Sequence, residues 1–489
     1  MRTVDFGMLT AVLLGACNLV SCGGGSSSPN RVSTIVETTA PAAFAGTVLL
    51  GSPTNTSVKA NLLASDQAGS VYIAYGTDSA ALSKQTPAAA LGAGKPLEIA
   101  LDQLSSGTKY FYRVYLQSTG ASSYLPSPLY TFHTARHSNE TFTFTVQADS
   151  HLDENSDLDL YRRTLANVLA DVPDFHIDLG DTFMCEKHCS PLTAVLQPPL
   201  DQSTVDSRYI YERGNFGIFS HSAPLFLVNG NHEGEMGFLA DGSPENLTVW
   251  ASRARKTFFA NPVPDTFYSG DLSEEPYVGK RASWYSWIWG DALFIVLDPY
   301  WNTLTKSNEG WNYTLGDAQY QWLHETLASA QTKFKFVFVH SLIGGLDGQM
   351  RGGIEAAPYF EWGGRDLDGT WSFSRKRPTW DTPIHELLVR YRVTAVFHGH
   401  DHIYAQQELD GVIYQEVPQP SARNTSSGPA LAAAYHYATG SISSSAGHLR
   451  ITVSPDHVTS QYVRAWLPAA ETDQRKNGQI DASWTILAE

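Results

Sequence analysis

From Thr141 onward, short apolar runs recur along the chain and share a common ending. Residues 142–148 (FTFTVQA) lead into Asp149, and residues 175–179 (FHIDL) into Gly180-Asp181. Residues 225–228 (LFLV) lead into Asn229, residues 335–339 (KFVFV) into His340, and residues 394–397 (TAVF) into His398-Gly399-His400. A further run, residues 292–297, ends in Asp298 and Tyr300. Helix-like segments separate these runs, which is the α/β pattern of buried strands alternating with helices. In such sheets sites form outside the carboxyl ends of strands, so these polar endings are expected to converge.

The preceding region has a different rhythm. Residues 46–136 read as short alternating strands broken by turn residues, with residues 71–75 (VYIAY), 97–101 (LEIAL) and 110–115 (YFYRVY) the clearest. Residues 104–110 (LSSGTKY) resemble the corner before strand F of a fibronectin type III sandwich, where the tyrosine hydroxyl ties back to upstream backbone. No constellation of catalytic residue types occurs there, so spacing or packing against the following domain is its expected role. At the other end, residues 447–466 read as a hairpin around Ser454-Pro455-Asp456 that adds strands to a second sheet.

The N-terminus reads as a targeting segment. Arg2 precedes an apolar run, residues 6–16, too short to span a membrane but suited to a signal peptide. Residues 14–17 (LGAC) and 19–22 (LVSC) both resemble a bacterial lipoprotein cleavage box. Cys22 is favoured over Cys17 because residues 23–28 (GGGSSS) form a flexible tether behind it; an ordinary secretory signal is the alternative. The expected organisation is a signal peptide at 1–22, a linker at 23–45, a fibronectin type III-like domain at 46–136 and a catalytic domain at 140–489. The expected location is outside the cytoplasm, as a periplasmic or outer-membrane lipoprotein or an extracellular protein. Membrane contact is expected only through the lipid anchor. Oligomeric state is not legible.

Composition narrows the partners. The 489 residues are 42% hydrophobic and 17% charged, ordinary for a chain with a real core, and the many Trp and Tyr are accommodated by that core. A formal charge of −16 disfavours duplex nucleic acid and a secreted nuclease, but not a small phosphorylated substrate, because bound metal reverses the field inside a pocket. Past the signal the only cysteines are Cys185 and Cys189, spaced C-x3-C. In an exported protein that pair is expected to form a disulfide pinning its loop, with His188 between them keeping a third metal open.

Each polar ending has a plain explanation by itself, since a lone histidine is more often structural than a ligand. Together they are Asp149-Ser150-His151, Gly180-Asp181, Gly230-Asn231-His232-Glu233, a lone His340 and Gly399-His400-Asp401-His402. In this order they resemble the five-block signature of the calcineurin-like metallophosphoesterase superfamily. That resemblance implies an α/β (α+β) four-layer sandwich of two mixed β-sheets flanked by helices, here preceded by the all-β fibronectin type III-like sandwich. It implies two metal ions about 3.5–4 Å apart. Asp181 bridges them, Asp149, His151 and His402 hold one, and Asn231, His340 and His400 hold the other. A hydroxide shared by the ions then attacks phosphorus in line. Carboxylate, imidazole and amide oxygen together suit Mn, Fe or Zn, with the choice open. His232, next to a ligand, is expected to stabilise or protonate the leaving group. Glu233 either orients His232 or is an ordinary charged loop residue.

Departures narrow the branch. Purple acid phosphatases carry a tyrosine three residues after the bridging aspartate, where this chain has Met184, and their first block is D-x-G. The block 180–185 (GDTFMC) lacks the arginine of Ser/Thr protein phosphatases. The leading sandwich is nevertheless similar to the one in plant-type purple acid phosphatases. The expected activity is metal-dependent hydrolysis of phosphomonoesters or small phosphodiesters, acid-phosphatase-like in kind. The alternative is a catalytically silent surface binding or adhesion protein on the same scaffold, against which the intact ligand set counts. On the substrate side, Arg351, Tyr300 and Trp362 are the expected contacts. Residues 341–381, which include Arg351, Glu355, Tyr359, Trp362 and Arg365, form either a mobile lid or a loop packed on the sheet. In residues 251–265, Arg253, Arg255 and Lys256 either add positive charge near the pocket or lie on a solvated helix face.

Overall fold

A computed structural model describes residues 44–185, 200–306, 310–342 and 351–488. The expected signal peptide with Cys17 and Cys22, nearly all of the linker, and His188 and Cys189 of the expected disulfide lie outside those residues.

Two large mixed sheets face each other. In one, neighbouring strands run Leu225–Leu227, Phe175–Asp178, Phe142–Gln147, Gly447–Val453, His457–Arg464 and Ile480–Leu487. The first three pair in parallel, and Phe142–Gln147 then meets Gly447–Val453 antiparallel, with Phe144 opposite Ile451. The expected C-terminal hairpin is therefore present and extends this sheet. Ile480–Leu487 adds an edge strand whose side chains alternate between partly buried and exposed, the mark of a one-sided strand.

The other large sheet is centred on Ala292–Val296, Phe334–Phe338, Ala395–His398 and Val412–Glu416, all parallel, with antiparallel strands at both flanks. These central strands are wholly or almost wholly buried, which is why they read as unbroken apolar runs. Aromatic side chains fill the space between the sheets: Phe144, Phe175, Trp287, Phe294, Phe336, Phe338 and Phe397 form one contiguous cluster. Burying each of those rings contributes about 1.5–3 kcal/mol.

Helices cover both outer faces. Leu158–Ala170, Gln202–Phe216 and Leu247–Phe258 pack apolar faces over the first sheet, and Gly316–Ser329 and Ile384–Arg390 over the second. Their starts are encoded locally: Asp157, Asp201 and Asn246 each accept a backbone N–H of the first turn. The result is the four-layer α/β sandwich expected from the sequence.

Ahead of it, strands Thr47–Gly51, Val58–Leu63 and Leu97–Leu101 form one antiparallel sheet. Gly69–Gly76 and Lys109–Ser118 anchor a second. Val58, Val71, Ile73, Tyr112 and Val114 are buried in one shared core. The Tyr110 hydroxyl accepts the Ser105 N–H at 2.8 Å, the corner contact that the LSSGTKY stretch led us to expect. This β region is bonded to the sandwich behind it. Leu50 N–H donates to the Ser220 carbonyl (3.0 Å) and the Tyr112 hydroxyl to the His221 carbonyl (2.6 Å).

Candidate metal centre

The five polar endings converge at the carboxyl ends of Phe142–Gln147, Phe175–Asp178, Leu225–Leu227, Phe334–Phe338 and Ala395–His398. Two groups of ligand-type atoms result, Asp149 with His151 and His402, and Asp181 with His340 and His400. Both groups are drawn from the expected ligands, and Asp181 Oδ2 reaches toward both, at 3.6 Å from His151 Nε2 and 3.1 Å from His340 Nε2. Asp149 Oδ1 is 3.4 Å from His402 Nε2 and 3.6 Å from His151 Nε2, and those two nitrogens face each other at 3.2 Å.

The backbone is bent into this arrangement. Asp149, His151, Asp181, His400 and His402 all have φ between 47° and 83°, the left-handed region. Such conformations cost about 1–3 kcal/mol each and persist only where surroundings over-determine them. Two glycines permit the close approach. A Cβ on Gly230 would lie 2.4 Å from Asp181 Oδ1, and one on Gly399 would lie 2.7 Å from Asp149 Oδ2.

Several polar atoms here are buried without a hydrogen-bond partner: Asp149 Oδ1, Asn231 Oδ1, His340 Nε2 and His400 Nε2. Leaving such atoms unmatched costs about 1–3 kcal/mol each, so a ligand set of this kind fits a cation at the convergence point. The electrostatics agree. Burial opposes charge on Asp149 and Asp181, yet the surrounding imidazoles hold both carboxyls far below the usual range. Burial likewise opposes charge on His151, but Asp149, Asp153 and Asp181 push it up to about 10. His340, beside Asp181 and Asp149, is pushed up to about 9. The buried carboxylates thus favour positive charge at this point, which a bound cation would supply.

His232 stands at the rim. Its Nε2 is 3.9 Å from Asp181 Oδ2, and its backbone N–H donates to Asp181 Oδ1 at 2.8 Å. Glu233 fits neither sequence expectation. Its carboxylate accepts the backbone N–H groups of Gly230 (2.5 Å), Asp181 (2.9 Å), Thr182 (2.7 Å) and Phe183 (3.2 Å), pinning the Asp181 loop.

A cleft of about 430 Å³ opens over the cluster. His151, Asp181, Asn231, His232, His400 and His402 line its floor, while Asn155, Asn424, Ser427, Leu431 and Tyr435 form the far wall. Arg351 also lines it. Its Nε donates to Asp401 Oδ1 (2.8 Å), an Nη donates to the His400 carbonyl (2.6 Å), and its guanidinium stacks 3.9 Å from the Tyr435 ring.

The other two expected substrate contacts are corrected. Trp362 is packed in the core behind the second sheet, its indole N–H donating to the Tyr414 hydroxyl at 2.8 Å. Tyr300 is fully buried behind His340, its hydroxyl 3.2 Å from Ser341 Oγ. Trp362 fills the core between the second sheet and its helices, whereas Tyr300 packs in a separate small cluster with Met236 and Tyr313. Of residues 341–381, residues 343–350 lie outside the described residues; within 351–381 the chain is packed, Glu355 accepting the Gln407 amide and Ala438 N–H, and of those residues Arg351 alone lines the cleft. The basic helix fits neither alternative as a whole, because Arg255 is buried, donating to Glu235 at 2.5 Å, while Arg253 and Lys256 donate to the Tyr277 and Val278 carbonyls. Asp153, 3.5 Å from His151 Nδ1, and the far wall were missed. Only the D-x-H-x-D spacing could have pointed to Asp153.

A four-layer sandwich with paired carboxylate–imidazole clusters at its strand ends is a metallophosphoesterase. The calcineurin-like phosphoesterase family model matches residues 142–404, and the chain belongs to that family. Among solved structures it is similar to PhoD, with TM-score 0.62 and 14% identity over 91% of this chain and 90% of that one. It is also similar to the purple acid phosphatase PPD1 from yellow lupin (Lupinus luteus) seeds, with TM-score 0.56 and 15% identity over 90% of this chain and 74% of that one. At these identities the likeness is one of fold. No curated protein sequence matches the chain. Among the described residues no helix is long and apolar enough to cross a membrane.

Proposed function

We propose that the chain is a binuclear-metal-dependent hydrolase of phosphate esters, acting on phosphomonoesters or small phosphodiesters. The observation that carries this reading is the convergence of unpartnered buried donors, Asp149 Oδ1, Asn231 Oδ1, His340 Nε2 and His400 Nε2, in a family whose members are phosphoesterases. Asp149, His151 and His402 would hold one ion, Asn231, His340 and His400 the other, with Asp181 between them. The pair would supply Lewis-acid charge and an activated water for in-line displacement at phosphorus, with Mn, Fe or Zn suited to the donors.

The remaining work falls to the chain's own groups. The cleft floor orients the phosphoryl group toward Asp181, and the Asn155–Asn424–Tyr435 wall faces the alcohol side of the ester. His232, at the rim and partly exposed, is placed to donate a proton to the departing oxygen. Arg351, fixed by Asp401, offers N–H groups at the cleft edge. Export through the N-terminal segment, with lipidation at Cys22, and a fibronectin type III identity for the leading β region belong to the same proposal, supported by the lipoprotein-like box and the Tyr110 corner.

The test is hydrolysis of p-nitrophenyl phosphate beside bis-p-nitrophenyl phosphate by metal-stripped protein re-supplied with Mn, Zn or Fe. Turnover restored by metal supports the reading, and the ratio of rates assigns monoester or diester preference. Absence of turnover on either ester with two metals bound would contradict it for these ester classes.

A further inference from the structure

The helix Gln202–Phe216 carries two buried guanidinium groups that face different partners. Arg208 donates from Nε to the Phe183 carbonyl, and from one Nη to the carbonyls of His151 (2.8 Å) and Thr182 (3.0 Å). Its other Nη lies 3.1 Å from Glu212 Oε1 on the same helix. These carbonyls belong to the two loops that present Asp149, His151 and Asp181. Within the loops His151, Leu152, Asp181 and Met184 all sit at φ between 47° and 54°. One planar cation thus joins the first ligand loop to the second from beneath.

Further along the helix, Arg213 turns to the N-terminal sheets. It donates to Thr47 Oγ1 (2.7 Å), Asn61 Oδ1 (2.8 Å) and the Asn61 carbonyl (2.5 Å), and to the Phe258 carbonyl. No carboxylate is within ion-pair distance among the described residues, so this buried charge is held by oxygen dipoles from strands Thr47–Gly51 and Val58–Leu63. Unlike a lysine, a guanidinium can meet several carbonyls in one plane, and both positions use that property.

We infer that Arg208 is a positioning residue for the metal-bearing loops, and that the N-terminal sheets hold its helix in register through Arg213. The β region then contributes to metal affinity and is more than a spacer. This rests on the metal reading above. With Arg208 shortened or neutralised, three buried carbonyls lose their donor, and the left-handed turns lose the contact that over-determines them. The turns relax, and the ligand atoms move off the geometry that a metal requires.

The test measures metal dissociation constants by competition with a chelating dye, with melting temperatures recorded alongside, for wild type, Arg208→Lys and Asn61→Ala. Arg208→Lys keeps the charge but loses the fork, and is expected to weaken metal binding by about 10–100-fold, the range for groups that orient metal ligands. Asn61→Ala removes the side-chain Oδ1 that accepts from Arg213 at the far end, leaving the Asn61 carbonyl in place, and a smaller weakening of several-fold is expected while the chain stays folded. A merely structural role would lower the melting temperature and leave metal affinity within two-fold in both variants, which would overturn the inference. Weakening in Arg208→Lys alone would overturn the part assigned to the N-terminal sheets. If Arg208→Lys does not fold, Asn61→Ala decides by the same two-fold criterion. A wild-type chain that takes up no metal would overturn the metal reading itself.

Discussion

Glu235 and Asn231, close in sequence, belong to two buried clusters built on opposite rules. In the first, Glu235 accepts Arg255 at 2.5 Å and Arg281 at 3.2 Å, Ser252 donates to it at 2.6 Å, and Arg281 reaches on to Asp298 at 2.7 Å. Two carboxylates meet two guanidinium groups, and the set is neutral without help. In the second, Asp149 and Asp181 face four imidazoles, and Asp149 Oδ1, Asn231 Oδ1, His340 Nε2 and His400 Nε2 make no hydrogen bond. The carboxylates of both clusters are buried to the same degree. The difference teaches that burial of charge does not mark a site; burial of unmatched lone pairs aimed at one point does. A closed cluster holds loops together, and an open one waits for a cation.

That contrast is broken or sharpened by substitution. The largest effect is expected from Asp181→Ala, which removes the group shared by both ligand sets. Metal content by elemental analysis and phosphatase turnover should fall together to background, and retained turnover would remove Asp181 from the bridging role. Next, His232→Ala should keep both metals while kcat falls by about 10²–10⁴-fold, as for a general acid. Metal loss in that variant would make His232 a ligand instead. In the closed cluster Arg255→Ala should do the reverse, leaving metal stoichiometry unchanged in the folded protein. It should destabilise by about 3–5 kcal/mol in urea unfolding, because buried Glu235 loses the closer of its two guanidinium partners and keeps only Arg281 at 3.2 Å.

A pH effect of similar origin should follow. Against burial, Arg255, Arg281 and the Ser252 hydroxyl hold Glu235 down to about 2, compared with an ordinary 4.5. Its ionised form therefore supports the fold above about pH 4.5, and that support is lost as pH falls through about 2. The contribution is about 3 kcal/mol at neutral pH. Urea midpoints should drop between pH 5 and pH 3 in wild type, and the drop should shrink in Glu235→Gln. The smallest effect belongs to the leading β region. Tyr110→Phe removes the acceptor for the Ser105 N–H and should cost about 1 kcal/mol without touching metal.

The open cluster was legible in the sequence and the closed one was not. Asp149, Asp181, Asn231, His340 and His400 each follow a strand end, and a strand end in a parallel sheet has one place to go. Arg255 was misread because a charged residue on an amphipathic helix looks solvent-facing until its partner is known, and Glu235 comes from a separate loop. Trp362 was misread for a related reason. A Gly- and Trp-rich stretch looks like a lid, but the second sheet needed an aromatic beneath Gly316–Ser329 and Ile384–Arg390. Glu233 could not be assigned from its motif, since three of its four backbone N–H partners belong to another loop. The far wall at Asn424, Ser427, Leu431 and Tyr435 is set by where a loop and short helix come to rest, which no local pattern records. The four layers followed from alternating runs and helices, whereas the edge strand Ile480–Leu487 went unread beyond the hairpin.

The measurement that bears most directly on the open cluster is the number of metal ions bound per chain at saturation. It is read by equilibrium dialysis of stripped protein against Mn or Zn, followed by elemental analysis. Two ions per wild-type chain, falling with Asp181→Ala and unchanged with Arg255→Ala, is the result the two-cluster contrast requires. No bound metal, or binding indifferent to Asp181, would contradict it and return the chain to a scaffold without chemistry.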